Sequence, residues 1–414
     1  MNFKNCFFLF TFLIKTMRFL HISDIHLGRK QVGNSGEFAR KRYNDFFTAF
    51  EFMIDYAIIN NLDAVIIAGD LFDKKEINPD TLSNTIMILN KIKEKNIPVL
   101  CIEGNHDNFQ SDNIQDSWLI YLESLNLIKR PFYTYLDEIY NFTPIVIDNI
   151  HFWGIGYNGA FTDIVIDKFE EHISNFQTKN VLITHTAIAG EQLFHGTVKS
   201  ETIAKLKDKC IYIAGGHFHN FSAFPKNNPF FFVPGSLEYW DIAESHHKKG
   251  GIVFDTETSD YIYVESNNRK IINLEIENNF DKPEDFYNNL NEFLNNYNFD
   301  TEIIVKIEIM NNAPFFPDAK LIEEMIFSRN AMRVYVKFSN NSYRNSQNVS
   351  NNNMLIEEIE EEIISKWHFF SNNVKESVET LKLLKEYQSF NSKENEESFK
   401  NVYDVWITKL IEGK

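Results

Sequence analysis

RFLHISDIHLG, Arg18 to Gly28, sets the reading of the chain. It begins as an apolar run of strand length and ends in Asp24 and His26, one residue apart. The same arrangement returns four times downstream. AVIIAGDLFD (Ala64 to Asp73) puts Asp70 just past an apolar strand, and IPVLCIEGNHD (Ile97 to Asp107) does so with Asn105, His106 and Asp107. NVLITH (Asn180 to His185) ends on His185, and CIYIAGGHFH (Cys210 to His219) on His217 and His219. Side chains at i and i+2 in extended backbone point to one side, so each such pair can serve one cation or two adjacent ones.

Helical periodicity fills the gaps between the early strands. Glu37 to Asn60 carries Phe46, Phe47, Phe50, Met53, Ile54, Ala57 and Ile58 on one broad face, and Asn78 with Pro79 opens a second helix. Continuous apolar strands alternating with helices imply a parallel or mixed sheet buried on both faces. After about Pro144 strands dominate, which implies a second sheet packed on the first. The expected class is α/β, a layered α-β-β-α sandwich over residues 17–265. From 266 to 339 the pattern changes to a compact β-α-β-α-β module without a visible catalytic cluster. Residues 340–354, NSYRNSQNVSNNN and its flanks, read as a polar linker, and 355–414 as amphipathic helices that either pack back on the body or grip a partner.

Each strand-end fragment is weak alone. A lone Asp after a strand is usually a turn or cap residue, which is one reading of Asp107, and a lone His is usually satisfied structurally. Five fragments at the carboxyl ends of successive strands are different, because open α/β sheets bind ligands at that edge. The pooled reading is a shared metal site. Its carboxylate, imidazole and amide donors, without thiolate, suit Mn²⁺, Fe²⁺ or Zn²⁺, and there are enough of them for two ions sharing one carboxylate.

A formal charge of −17 excludes a surface coated in nucleic-acid-binding lysines but not one local basic face. Arg29, Lys30, Arg40, Lys41 and Arg42 lie beside the first candidate ligands, and Lys74 and Lys75 follow Asp70. They are a solvated helix face or a track for phosphates. The three cysteines are scattered, which fits a reducing compartment and no structural zinc. NCFFLFTFLI, Asn5 to Ile14, is too short to span a bilayer, and residues 1–16 are read as a dispensable extension before a working start at Met17. No phosphate-binding glycine loop of ATPase type is present, and His246 and His247 lie in a charged stretch that suggests no metal role.

The ordered set D-x-H, G-D-x-x-D, G-N-H-D, H, G-H-x-H resembles the calcineurin-like metallophosphoesterases. The fuller strings MRFLHISDIHLG, AGDLFD, EGNHD, GGHFHN and PGSLE resemble the Mre-eleven/SbcD family of DNA double-strand-break repair nucleases. The likeness is strong from Met17 to about Glu265 and looser beyond. It implies one Mn²⁺ on Asp24, His26 and His219, a second on Asn105, His185 and His217, and Asp70 bridging them. It implies that His106 contacts the scissile phosphate and that Asp73 orients His106, a position where archaeal and eukaryotic members often carry His. It further implies 3′-5′ double-strand exonuclease and single-strand endonuclease activity, an SbcC-type coiled-coil ABC ATPase gripped by the C-terminal helices, a capping, DNA-binding role for 266–339, a homodimer, and a cytoplasmic, nucleoid-associated location with no membrane. Two rival readings stand beside it: a phosphoesterase for small phosphoesters or phosphoproteins, and a non-catalytic scaffold of a repair complex.

Overall fold

The computed structural model of the chain describes residues 17–30, 36–107, 117–174, 176, 178–190 and 195–339. The chain divides into two compact units, residues 1–339 and 340–414. The expected extension 1–16, linker 340–354 and helical region 355–414 lie outside the described residues.

Two sheets form the centre of the first unit. The first has the order Tyr261–Glu265, Gly250–Asp255, Arg18–Ile22, Ala64–Ile67, Val99–Cys101. Its last three strands are parallel, and the returning strand Gly250–Asp255 is antiparallel to Arg18–Ile22. The second runs Ser222–Phe224, Phe231–Val233, Tyr212–Ala214, Lys179–Thr184, Ile150–Ile155, Ile145–Ile147, with a parallel centre and antiparallel edges.

Strand periodicity explains why the sheets stack. In the strand Arg18–Ile22, Phe19 faces one core while Leu20 and Ile22 face another. Along Ala64 to Ala68, Ala64, Ile66 and Ala68 join Phe19, and Val65 and Ile67 join Leu20. The first set meets Phe152, Val181, Ile183, Tyr212 and Phe232 of the second sheet, which makes the inter-sheet core. The second set is covered by the helices Gly36–Ile59, Pro79–Lys93 and Trp118–Ser124. On the outer face of the second sheet, Trp153, Leu182 and Ile213 pack under the helices Thr162–Ile173 and Ser200–Ala204. The order of layers is therefore helix, sheet, sheet, helix, as the apolar strand runs predict. Asn78 caps the second helix, its Oδ1 accepting from Thr81 N at 2.7 Å.

Residues 271–339 build a three-stranded parallel sheet, Ile271–Asn278, Ile304–Asn311, Arg333–Ser339, with the helices Pro283–Leu294 and Ala319–Phe327. This module has its own core around Leu290, Val305, Ile307 and Ile322. An antiparallel hairpin, Phe132–Leu136 with Ile139–Thr143, is hidden in the sequence because apolar side chains occupy both faces, Tyr133, Tyr135, Tyr140 and Phe142 on one and Phe132, Leu136 and Ile139 on the other. Among the described residues no helix is long and apolar enough to cross a membrane.

Phe152 is wholly buried between the sheets, edge-on to Phe19. Phe152→Ala should cost about 3–5 kcal/mol, read as a lowered urea midpoint. Ile262→Ala, on an exposed edge position, should change stability by roughly 0.5 kcal/mol at most. Equal effects at the two positions would contradict the two-sheet packing.

Candidate metal centre

All seven candidate ligands meet beyond the carboxyl ends of the strands. Asp24 and His26 leave the first strand in a segment that runs beside the loop after the second. Asp24 N donates to Gly69 O at 3.1 Å, and Ile25 N and His26 N donate to Asp70 O at 2.9 and 3.0 Å. Leu27 N donates to Leu71 O at 2.9 Å. Asp24, His26, Asp70 and His217 all take left-handed backbone, with φ of 51°, 52°, 53° and 78°. For residues with a Cβ that conformation is uncommon and is held by surrounding contacts.

Glycines make room for the convergence. A Cβ at Gly104 would fall 2.0 Å from Asp70 Oδ1, and one at Gly69 2.2 Å from His185 Nδ1. A Cβ at Gly216 would fall 2.4 Å from Ala68 O. Gly69 and Gly104 are thus places where backbone passes a candidate ligand too closely for any side chain, and Gly216 one where it passes the carbonyl that holds His185.

The donor atoms face one another. Ligand atoms of Asp24, His26 and His219 lie within 4.8 Å of one another, as do those of Asp24, Asp70 and His185 and those of His26, Asp70 and His106. His26 Nε2 and His219 Nε2 are 3.1 Å apart. Asn105 Oδ1 lies 3.1 Å from both His185 Nε2 and His217 Nδ1. Asp70 Oδ2 stands 3.8 Å from His26 Nε2 and 3.4 Å from His185 Nε2, between the two clusters. Asp24, His26, Asp70 and His185 are buried, whereas Asn105, His106, His217 and His219 are half-buried and form the rim.

The second contacts of the rings show which nitrogens are bare. His185 Nδ1 donates to Ala68 O at 2.8 Å, and His217 Nε2 donates to His195 O at 2.9 Å. His219 Nδ1 donates to Glu244 Oε1 at 2.7 Å. The nitrogens left over, His185 Nε2, His217 Nδ1 and His219 Nε2, are those facing the cluster. Such a gathering fits a cation, and the oxygen and imidazole donors fit a divalent first-row ion. Without one, the cluster draws a proton. Burial alone would depress His185, but the charges of Asp70 and Asp24 push it up to about 9. Burial and the His185 charge press His217 down to about 4, and burial carries His26 well below the usual imidazole range.

The remaining expected residues sort by their contacts. His106 Nδ1 donates to the main-chain carbonyl of Asp73 at 2.7 Å. The Asp73 carboxylate turns elsewhere, accepting from Trp240 Nε1 at 3.1 Å and lying 3.6 Å from both His26 Nδ1 and Arg29. Asp107 is a turn staple: its carboxylate accepts from Leu71 N, Phe72 N and Gly104 N. Arg42 does not fit the expected phosphate-facing patch. It is 2% exposed, and its guanidinium is spent on Asp45, Glu238 and Tyr239 O. Lys41 pairs with Glu302, and Arg29 lies 3.5 Å over the Trp240 ring. Lys30, Arg40, Lys74 and Lys75 are exposed, as are His246 and His247. Sequence reading missed Trp240, Glu244 and Lys249, which pack against the rim. The acidic and aromatic run after PGS was the available signal.

The sequence pattern of the calcineurin-like phosphoesterase family matches residues 17–221. Residues 17–221 belong to the calcineurin-like phosphoesterases. A phosphoesterase domain of this kind implies use of a divalent metal. The chain is 26% identical to a DNA double-strand break repair protein Mre11 of Archaeoglobus fulgidus over 63% of its own length and 62% of the relative's. It is 26% identical to the protein of that name from Sulfolobus acidocaldarius, over 78% of this chain and 83% of the relative. With the Aeropyrum pernix protein of that name it shares 34% identity over 48% of each. The chain thus spans less than two thirds of the length of two of these three relatives.

A cation that takes His185 Nε2 as a donor must displace the proton there. Titrating Mn²⁺ into metal-free protein at pH 7 should release about one proton, and affinity should rise roughly tenfold per pH unit towards the His185 value of about 9. Calorimetry in buffers of different ionisation enthalpy reads the proton directly. A binding enthalpy that ignores the buffer would remove this account of the cluster.

Proposed function

We propose that this chain is a nuclease of DNA double-strand-break repair that hydrolyses phosphodiester bonds with two divalent ions. The convergence of Asp24, His26, Asp70, Asn105, His185, His217 and His219 at one sheet edge carries the reading. Its likeness to proteins named for that repair supports the substrate. Asp24, His26 and His219 would hold one ion, Asn105, His185 and His217 the other, and Asp70 both. The ions, Mn²⁺ in this reading with Fe²⁺ or Zn²⁺ as alternatives, would activate water and neutralise phosphate charge.

The chain supplies the rest. His106 has Nδ1 engaged by the Asp73 carbonyl, which fixes its ring and leaves Nε2 to give a proton to the departing oxygen. Asp73 therefore orients His106 through its backbone, while its carboxylate holds Trp240 and Arg29 at the rim. Lys30, Arg40, Lys74 and Lys75 are exposed and would contact phosphates flanking the cut. Action as a 3′-5′ exonuclease and single-strand endonuclease, a homodimer, a nucleoid location, and an SbcC-type ABC ATPase bound by residues 355–414 complete the proposal on resemblance.

A metal centre alone would equally serve a small phosphoester, so the test compares leaving groups. On linear duplex DNA with Mn²⁺, His106→Asn should lose about 10²–10⁴-fold in rate. On a chromogenic phosphodiester the loss should be far smaller, because a nitrophenolate departs without a proton. No cleavage of DNA by the parent protein, or equal losses on both substrates, would defeat the assignment.

A further inference from the structure

Most of the candidate ligands are braced by the body that carries them. His185 leans on Ala68 O, and Asp24 accepts from His217 N at 3.1 Å. His219 is braced differently. Its ring nitrogen Nδ1 meets Glu244, on the 3₁₀ turn Ile242–His246. The other carboxylate oxygen of Glu244 accepts from Lys249 Nζ at 2.7 Å and Trp240 N at 3.1 Å. Lys249 is buried and also donates to His219 O at 2.9 Å and Ser236 Oγ at 2.8 Å. One ion pair therefore grips residue 219 at both its ring and its carbonyl.

The next residue, Ser245, is held from the opposite side. Its Oγ donates to Asn273 Oδ1 at 2.8 Å, its carbonyl accepts from Asn273 Nδ2 at 3.1 Å, and Lys306 Nζ donates to its Oγ at 3.3 Å. Asn273 and Lys306 belong to the first two strands of the 271–339 sheet. Two adjacent residues of one short turn thus connect that sheet to His219.

We propose that Glu244 and Lys249 are positioning residues for His219, and that the 271–339 module, through Asn273 and Ser245, helps hold that side of the metal centre. The proposal rests on His219 being a metal ligand. Its physical basis is general: a carboxylate on the far nitrogen fixes the tautomer and ring angle of a ligating imidazole and raises its basicity. A turn held at Glu244 and Ser245 spares the ring the entropy of finding that angle at each binding event.

The test is Mn²⁺ titration of the full chain by calorimetry, with the melting temperature of each metal-free variant measured alongside. The parent protein should show two binding events. Glu244→Ala should weaken one of them by roughly 10–100-fold and spare the other. Glu244→Gln, whose amide oxygen still accepts from Nδ1, should recover part of the loss and carries the test if the alanine variant does not fold. Asn273→Ala should weaken the same event to a smaller degree. Unchanged events in both Glu244 variants would overturn the positioning role while leaving the metal centre standing. Equal weakening of both events would mean general loosening and also overturn it. An unaffected Asn273→Ala would remove the module's part. Absence of any Mn²⁺ uptake by the parent protein would take the site reading down as well.

Discussion

Imidazole, carboxylate and amide groups crowded at one sheet edge are the constraint around which this molecule is organised. Asn105 Oδ1, His185 Nε2 and His217 Nδ1 meet in one place, and His26 Nε2 and His219 Nε2 in another. Burying carboxylates and imidazoles this close together costs free energy that the rest of the fold must supply. The inter-sheet core, with Phe19, Phe152, Tyr212 and Phe232 sealed inside, is the reserve. Rigid sheets fix where the strands end, and the strand ends fix where the lone pairs stand.

The loops between strand and helix are built to keep that arrangement from relaxing. Left-handed backbone at Asp24, His26, Asp70 and His217 turns each side chain inward at a sharp angle. Gly69 and Gly104 let the chains approach until main chain touches ligand. Asp107 ties three amides of two loops together. A loop adjusting alone would break hydrogen bonds in its neighbour, which is why a proton on His185 is the easier response to the crowded charge.

Much of this was legible in the sequence because its signals are local. An apolar run of strand length, a glycine, then Asp or His can be read within ten residues, and the layered fold follows from strands and helices alternating. Turn or cap was also the right reading of Asp107. Other features depend on partners far along the chain. Arg42 looks like any charged residue on a helix, yet it is buried against Glu238, 196 residues away. Glu244 sits in a stretch without periodicity, and its bond to His219 exists only because Lys249 and the strand after it fold back beside Arg18–Ile22. The hairpin at 132–143 hides because Phe132, Leu136 and Ile139 stand opposite the face of Tyr133, Tyr135, Tyr140 and Phe142 and blur the alternation that marks a strand.

The strand order has a consequence for how the molecule is born. Arg18–Ile22 gains one neighbour, Ala64–Ile67, early, but its other neighbour is Gly250–Asp255. A ribosome releasing this chain holds out a half-paired apolar strand until Gly250–Asp255 emerges. In the first part of that interval Asp24 and Asp70 are made without His185, His217 and His219, which follow before Gly250. The nascent N-terminal half is therefore the stage at which this protein most needs shielding from other chains.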